Sequence, residues 1–179
     1  MNKKKPNLVE LILSTICFCL LMSFLTACAS KGTTQTHKEP SVDLTDYKRL
    51  AINVTPDDSV SSEIQGYLEG VIIGKLRDTN KFERVFSSVL SPKEDYDLKL
   101  NVQIKNVREV SGNARFFAGA LAGQGNIVAD IEVIDGKSKN ILASATVEGE
   151  TSGGSSWAGT TEQAVKRMAE EIVDFLIGS

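Results

Sequence analysis

The chain has 179 residues, with 20 Lys and Arg against 23 Asp and Glu, a net charge of −3, one histidine and three cysteines. That balance argues against a nucleic-acid binder, whose affinity comes largely from clustered Lys and Arg neutralising phosphates. The length suits a short appended segment and one domain with a single hydrophobic core, and a second domain is not needed.

Met1-Asn2-Lys3-Lys4-Lys5 is basic, and an uncharged, mostly apolar run from Leu11 to Ala29 follows, the layout of a secretory signal peptide. A membrane-spanning helix of about 20 residues would need a similar length. Ser14, Thr15, Ser23 and Thr26 dilute the run, however, and small residues close it. It closes on Leu25-Thr26-Ala27-Cys28, which resembles the lipobox of bacterial lipoproteins: a branched apolar residue, two small ones, then cysteine. The resemblance implies that residues 1–27 are removed as a signal peptide and that the Cys28 thiol becomes a diacylglyceryl thioether. The new amine is then acylated, typically with palmitate. Cys17 and Cys19 leave with the peptide, so no free thiol, disulfide or cysteine nucleophile is expected in the mature protein. Lys3, Lys4, Lys5 and Glu10 leave too, and the 152 residues from Cys28 onward carry a net charge of −5. In enterobacterial lipoproteins an Asp after the cysteine favours retention in the inner membrane; Ala29 stands here. By that resemblance the expected address is the outer membrane, with the domain facing the periplasm.

From Ala29 to about Leu44 there is scarcely an apolar side chain to offset the entropy of ordering. Residues 28–46 are therefore expected to be the lipidated cysteine and a flexible tether, and residues 47–179 a single domain. Leu50, Ile52 and Val54 alternate with Ala51, Asn53 and Thr55 as a strand that Pro56 ends. Val60, Ile64, Leu68, Val71, Ile72 and Leu76 then stripe an amphipathic helix, with Asp58 or Ser59 as its N-cap and Asp78-Thr79-Asn80 as its stop. Gly66, Gly70 and Gly74 recur every fourth residue on it, each costing about 1 kcal/mol of helix propensity against Ala. Close packing of this row on the protein's own sheet is the expected reason for it.

Phe82 to Phe86 forms a short strand, and Leu98, Leu100, Val102 and Ile104 alternate with polar residues in a clean half-buried one. The phase changes near Lys105-Asn106, so Val107 or Val110 rejoins the core face only through a bulge or the strand's end. Ile127, Ala129, Ile131 and Val133 alternate with Asp130 and Glu132, and the turn Asp135 to Asn140 returns the chain as a hairpin from Ile141 to Val147. Thr160 with Gln163 makes a capping box before Val165, Met168, Ala169, Ile172, Val173 and Leu176, the stripe of a final helix. The predicted fold is α+β in the order β-α-β-β-β-β-α: two layers, with a mostly antiparallel sheet of about five strands and both helices on one face.

The only histidine, His37, falls in the expected tether, so a Cys/His zinc site, a Ser-His-Asp triad and a Cys-His pair are all excluded, and no metal or other cofactor is expected. Carboxylate groups remain: Asp57 with Asp58, Glu94 with Asp95 and Asp97, and Asp130 with Glu132. Asp130 and Glu132 lie two apart on one strand face, where two acids can share calcium or act as acid and base; an outward-facing solvated sheet explains them more simply. The stretch from Gly112 to Gly125 lacks the Lys-Ser/Thr that a phosphate loop needs after its last glycine, for Asn126-Ile127 stand there. It is either a crossover packed under the sheet or an inserted loop that touches a membrane or partner through Arg115, Phe116 and Phe117; the first is favoured because exposed apolar patches are uncommon. Trp157, the only tryptophan, is a staple before the last helix or a partner-contact anchor.

The lipobox, the run from Arg115 to Gly125 leading into Ile127 to Asp135, and Ser156-Trp157-Ala158-Gly159 before Thr161-Glu162-Gln163-Ala164 together resemble a family of small proteobacterial lipoproteins, domain of unknown function 4410. The resemblance spans Tyr47 to Ile177 and implies an envelope location, with no activity or catalytic residue attached. The element order behind a lipobox also looks like the periplasmic domain of the curli-secretion lipoprotein, although no pair of segments is long enough for that protein's membrane-spanning hairpins. The expectation is a non-enzymatic lipoprotein that binds an envelope protein or component. The alternatives are a subunit of an oligomeric envelope or secretion assembly, and a carboxylate-based hydrolase around Asp130 and Glu132.

Overall fold

The structure is a computed structural model and describes residues 31–40, 43–58, 60–108, 125–151 and 160–178. Its elements are β1 (Lys31–Lys38), a 3-10 turn (Leu44–Asp46), β2 (Arg49–Thr55), α1 (Ser62–Asp78), β3 (Arg84–Ser87), β4 (Leu98–Arg108), β5 (Asn126–Asp135), β6 (Ile141–Glu150) and α2 (Thr161–Ile177). The six strands form one sheet in the order β1-β6-β5-β4-β2-β3. Pairing is parallel between β2 and both of its neighbours and antiparallel everywhere else. This is the expected α+β architecture with one strand more.

The additional strand corrects the tether reading. Lys31–Lys38 runs antiparallel to β6, with Lys31 opposite Glu150 and Thr36 opposite Ala145. Its side chains bury little, so an argument from apolar content could not see it. Backbone hydrogen bonds to β6 order it, helped by the Thr34 hydroxyl donating to Glu171 on α2 at 3.1 Å and by the Lys38 ammonium on the Ile141 carbonyl. The 3-10 turn also belongs to the domain, because Leu44 is buried in the core.

One sheet face carries the alternating apolar residues: Leu50, Ile52 and Val54 from β2, Leu98 to Ile104 from β4, Ile127 to Val133 from β5, and Ala143, Ala145 and Val147 from β6. Both helices cover that face. α1 packs over β2 and β3, α2 over β6, β1 and β5, and the helices meet each other, where Lys75 pairs with Glu170 at 3.0 Å. α2 buries every residue of its predicted stripe together with Ala164, and ends on Gly178 in the left-handed conformation that glycine accepts without strain. The predicted bulge is present: the β4–β5 register shifts between Ile104 and Asn106, which returns Val107 to the core side opposite Ile127. Val110 lies outside the described residues.

Three local readings need correction. The N-cap of α1 is Ser61, whose hydroxyl accepts from the Ile64 amide at 3.3 Å; Asp58 precedes it by three residues and Ser59 is outside the described residues. Thr160 is the N-cap of α2, but its side chain makes no capping hydrogen bond, so the capping box does not close. Gly66, Gly70 and Gly74 do not pack on the sheet: a Cβ on any of them would have nothing within 4 Å. The apolar stripe of Leu68, Ile72 and Leu76 faces the core and leaves the glycines on the helix's outer side. A glycine that does admit a helix close to the sheet is Gly149 on β6, where a Cβ would fall on the Ala164 carbonyl and 2.8 Å from the Met168 amide nitrogen of α2.

Candidate functional site

Strand alternation that sends apolar residues to the helices sends a polar set to the other face. Across β4, β5, β6 and β1 that set includes Gln103, Lys105, Asp130, Glu132, Ser144, Thr146 and His37, all exposed or half-buried. Asp130 is its centre. Thr146, opposite Asp130 in the β5–β6 register, donates its hydroxyl to Oδ1 at 2.7 Å. Lys105, the residue skipped at the bulge, places its ammonium 3.3 Å from Oδ2. His37 of β1 brings Nε2 to 2.8 Å from the Thr146 hydroxyl oxygen. A threonine has one hydroxyl hydrogen, and Asp130 receives it, so His37 donates through an Nε2–H. The Thr146 hydrogen bond, aided by Lys105, holds the Asp130 carboxyl below the usual carboxylate range despite partial burial.

The structure thus brings His37 into contact with the sheet, contrary to the expectation that nothing would position it. The order His37 to Thr146 to Asp130 is still not that of a nucleophilic triad, in which the imidazole accepts the hydroxyl proton. Here a carboxylate holds it. Asp130 is ionised and paired, and Glu132 stands exposed two residues away. Among the described residues no group of three or more His, Cys, Asp or Glu side chains is placed to hold a metal ion.

A second polar cluster lies at the opposite end of β2. Arg49 grips Asp97 with two guanidinium hydrogen bonds, at 2.8 and 3.2 Å, and with its own backbone amide at 3.1 Å. These contacts hold the Asp97 carboxyl below its ordinary range, the guanidinium hydrogen bond most of all. Asp135 accepts the amides of Lys137 and Ser138, at 2.9 and 2.6 Å, and the Tyr47 hydroxyl at 3.1 Å. The turn amide of Ser138 is the largest cause that lowers the Asp135 carboxyl, while burial and the carboxylate together raise the Tyr47 phenol. An open groove of about 290 Å³ runs between these groups, lined by Asp46, Tyr47, Lys48, Asp97, Asp135 and Lys137. Its two central carboxylates are occupied in holding the hairpin turn and the start of β2 together, which leaves neither as a proton donor at neutral pH.

The remaining candidates are dispersed. Asp57 and Asp58 are exposed, with the Asp57 carboxylate accepting the Asp58 amide at 2.6 Å. Glu94 is engaged by Arg84 rather than by Asp95 or Asp97. Cys28, Arg115, Phe116, Phe117 and Trp157 lie outside the described residues, as does Gly112 to Gln124. Sequence reasoning missed both clusters because they join residues far apart in the chain. The bulge at Lys105 was the one local signal, since a bulge re-aims a side chain and here aims it at Asp130.

The model of the family described as "Domain of unknown function (DUF4410)" matches residues 42–155. No curated protein matches the sequence. Among solved structures, the fold is similar to that of a PelC dodecamer from Paraburkholderia phytofirmans, at 15% identity over 82% of this chain and 98% of that one, with a TM-score of 0.58. It is also similar to protein XCC0632 from Xanthomonas campestris, at 15% identity over 82% of this chain and 90% of that one, with a TM-score of 0.51. At that identity the likeness is one of fold.

Proposed function

The chain belongs to the DUF4410 family, and from that premise we propose that it is a lipid-anchored envelope protein whose domain binds a protein or other envelope component without catalysing a reaction. The observation that carries the binding half is the sheet face across β4, β5, β6 and β1 that no helix covers among the described residues. It spans four strands, and its central carboxylate is paired with Lys105 and accepts the Thr146 hydroxyl. A polar face held by strand pairing is proposed to contact a large partner, whereas small-molecule sites are concave and mostly apolar. A hydrolase around Asp130 and Glu132 needs one protonated member and a shielded substrate. The ionised, paired state of Asp130 speaks for the non-enzymatic reading. The lipid anchor rests on Leu25-Thr26-Ala27-Cys28, and the outer membrane is the proposed address because Ala29 follows the cysteine.

The oligomeric reading has its own support. The similar PelC structure is a dodecamer, and β1 and β3 are the edge strands of the sheet, with no further strand paired to them among the described residues. A mass measurement in solution separates the two, since a ring or other large oligomer selects the assembly subunit and a monomer removes it. The face is tested by photocrosslinking in intact cells. A crosslinker at Gln103 or Glu132, on adjacent strands, is expected to give the same discrete adduct, and one at Glu63 on α1 is not. Equal capture from all three positions contradicts the assignment.

A further inference from the structure

We propose that the strand end formed by Lys31, Glu150, Asn126 and Arg108 is held against the membrane surface. This rests on the lipid anchor proposed above and adds an orientation to it. The chain length outside the sheet supplies the argument. β1 is already paired at Lys31, opposite Glu150. Only two residues separate Cys28 from Lys31, so the lipidated residue lies at most about 10–11 Å from the start of the sheet, whatever the path between them.

Pairing then fixes which other residues share that end. Glu150 is opposite Asn126, and Asn126 is opposite Arg108. Strands lie about 4.8 Å apart, so the starts and ends of four strands form a row roughly 14 Å long. The row is stiff at its centre. Buried Thr151 donates its amide to the Gly125 carbonyl at 3.0 Å and accepts the Gly125 amide on its hydroxyl at 3.0 Å. The far end of the hairpin, at Asp135 to Asn140, is nine or more residues further along β5, about 30 Å away. A domain tied this closely by one end keeps that end at the bilayer, and the hairpin is the part free to stand away from it.

The test uses the lipidated full-length mature protein in vesicles of phosphatidylcholine containing a headgroup spin-labelled phosphatidylcholine. With Cys28 alkylated, a cysteine placed at Arg108→Cys or Lys137→Cys is the only thiol to carry a fluorophore; both positions are exposed. The label at 108 is expected to be quenched several-fold more than the label at 137. Inserting a twelve-residue Gly/Ser spacer between Ser30 and Lys31 adds roughly 20 Å of reach and is expected to bring the two signals together. Equal quenching without the spacer, or stronger quenching at 137, overturns the orientation while leaving the anchor intact. Failure of the wild-type protein to float with vesicles overturns the anchor and the orientation with it.

Discussion

Asp97 shows how one residue ties separate parts of the fold. Its carboxylate takes three hydrogen bonds from Arg49, so β2 is fastened to the residue that introduces β4. Because the folded pKa lies below the unfolded one, the stability this adds is fully present above about pH 4 and is lost as pH falls through the folded value. Asp97→Asn should therefore lower denaturant stability at pH 7, and the difference from wild type should shrink as pH falls below about 4. A stability gap that stays constant from pH 7 to pH 2 would show that the charge is not the cause. Neither this contact nor the His37–Thr146–Asp130 chain was legible in the sequence, because 48 and then 109 and 16 positions separate the partners. What the sequence did reveal at this scale was that Asp130 and Glu132 share one outward face.

Among elements, legibility followed apolar periodicity. The stripes of α1 and α2 and the alternation in β4 and β5 were readable because burial selects side chains at the period of each element. β1 was invisible because its order comes from backbone pairing with β6, which leaves no mark on side-chain pattern. The glycine row of α1 was misread for a related reason: spacing places residues on one face and does not say what lies opposite. Gly70→Ala should stabilise the domain by about 0.5–1 kcal/mol, since the helix gains propensity and the new methyl meets nothing. Gly149→Ala should destabilise it by about 1–3 kcal/mol, because β6 or α2 must shift to admit a Cβ. Chemical denaturation of both variants checks the contrast, and a destabilised Gly70→Ala would mean that the outer side of α1 is covered. Ile172→Ala, at a fully buried position of α2, should cost about 2–5 kcal/mol. A loss below about 0.5 kcal/mol would place that helix face in solvent.

At the scale of the whole molecule, the described residues leave one sheet face without a helix over it and begin at Lys31, three residues after Cys28. Both features depend on β1, which joins the domain three residues after the proposed lipidation site. On the proposed anchor, the domain is expected to be held near the bilayer rather than hung from a long tether. Hydrophobic burial gives about 0.8 kcal/mol per methylene, so one acyl chain holds weakly and two or more hold stably. Everything proposed for this protein's address rests on Cys28 carrying those chains. The most direct measurement is metabolic labelling with a clickable palmitate analogue, followed by intact mass of the purified protein. Wild type is expected to incorporate label and to begin at residue 28 with a mass increase of at least two acyl chains, and Cys28→Ser is expected to incorporate none and to remain uncut at that site. An unlabelled wild-type protein, or a Cys28→Ser variant that is still acylated and begins at residue 28, would contradict the account.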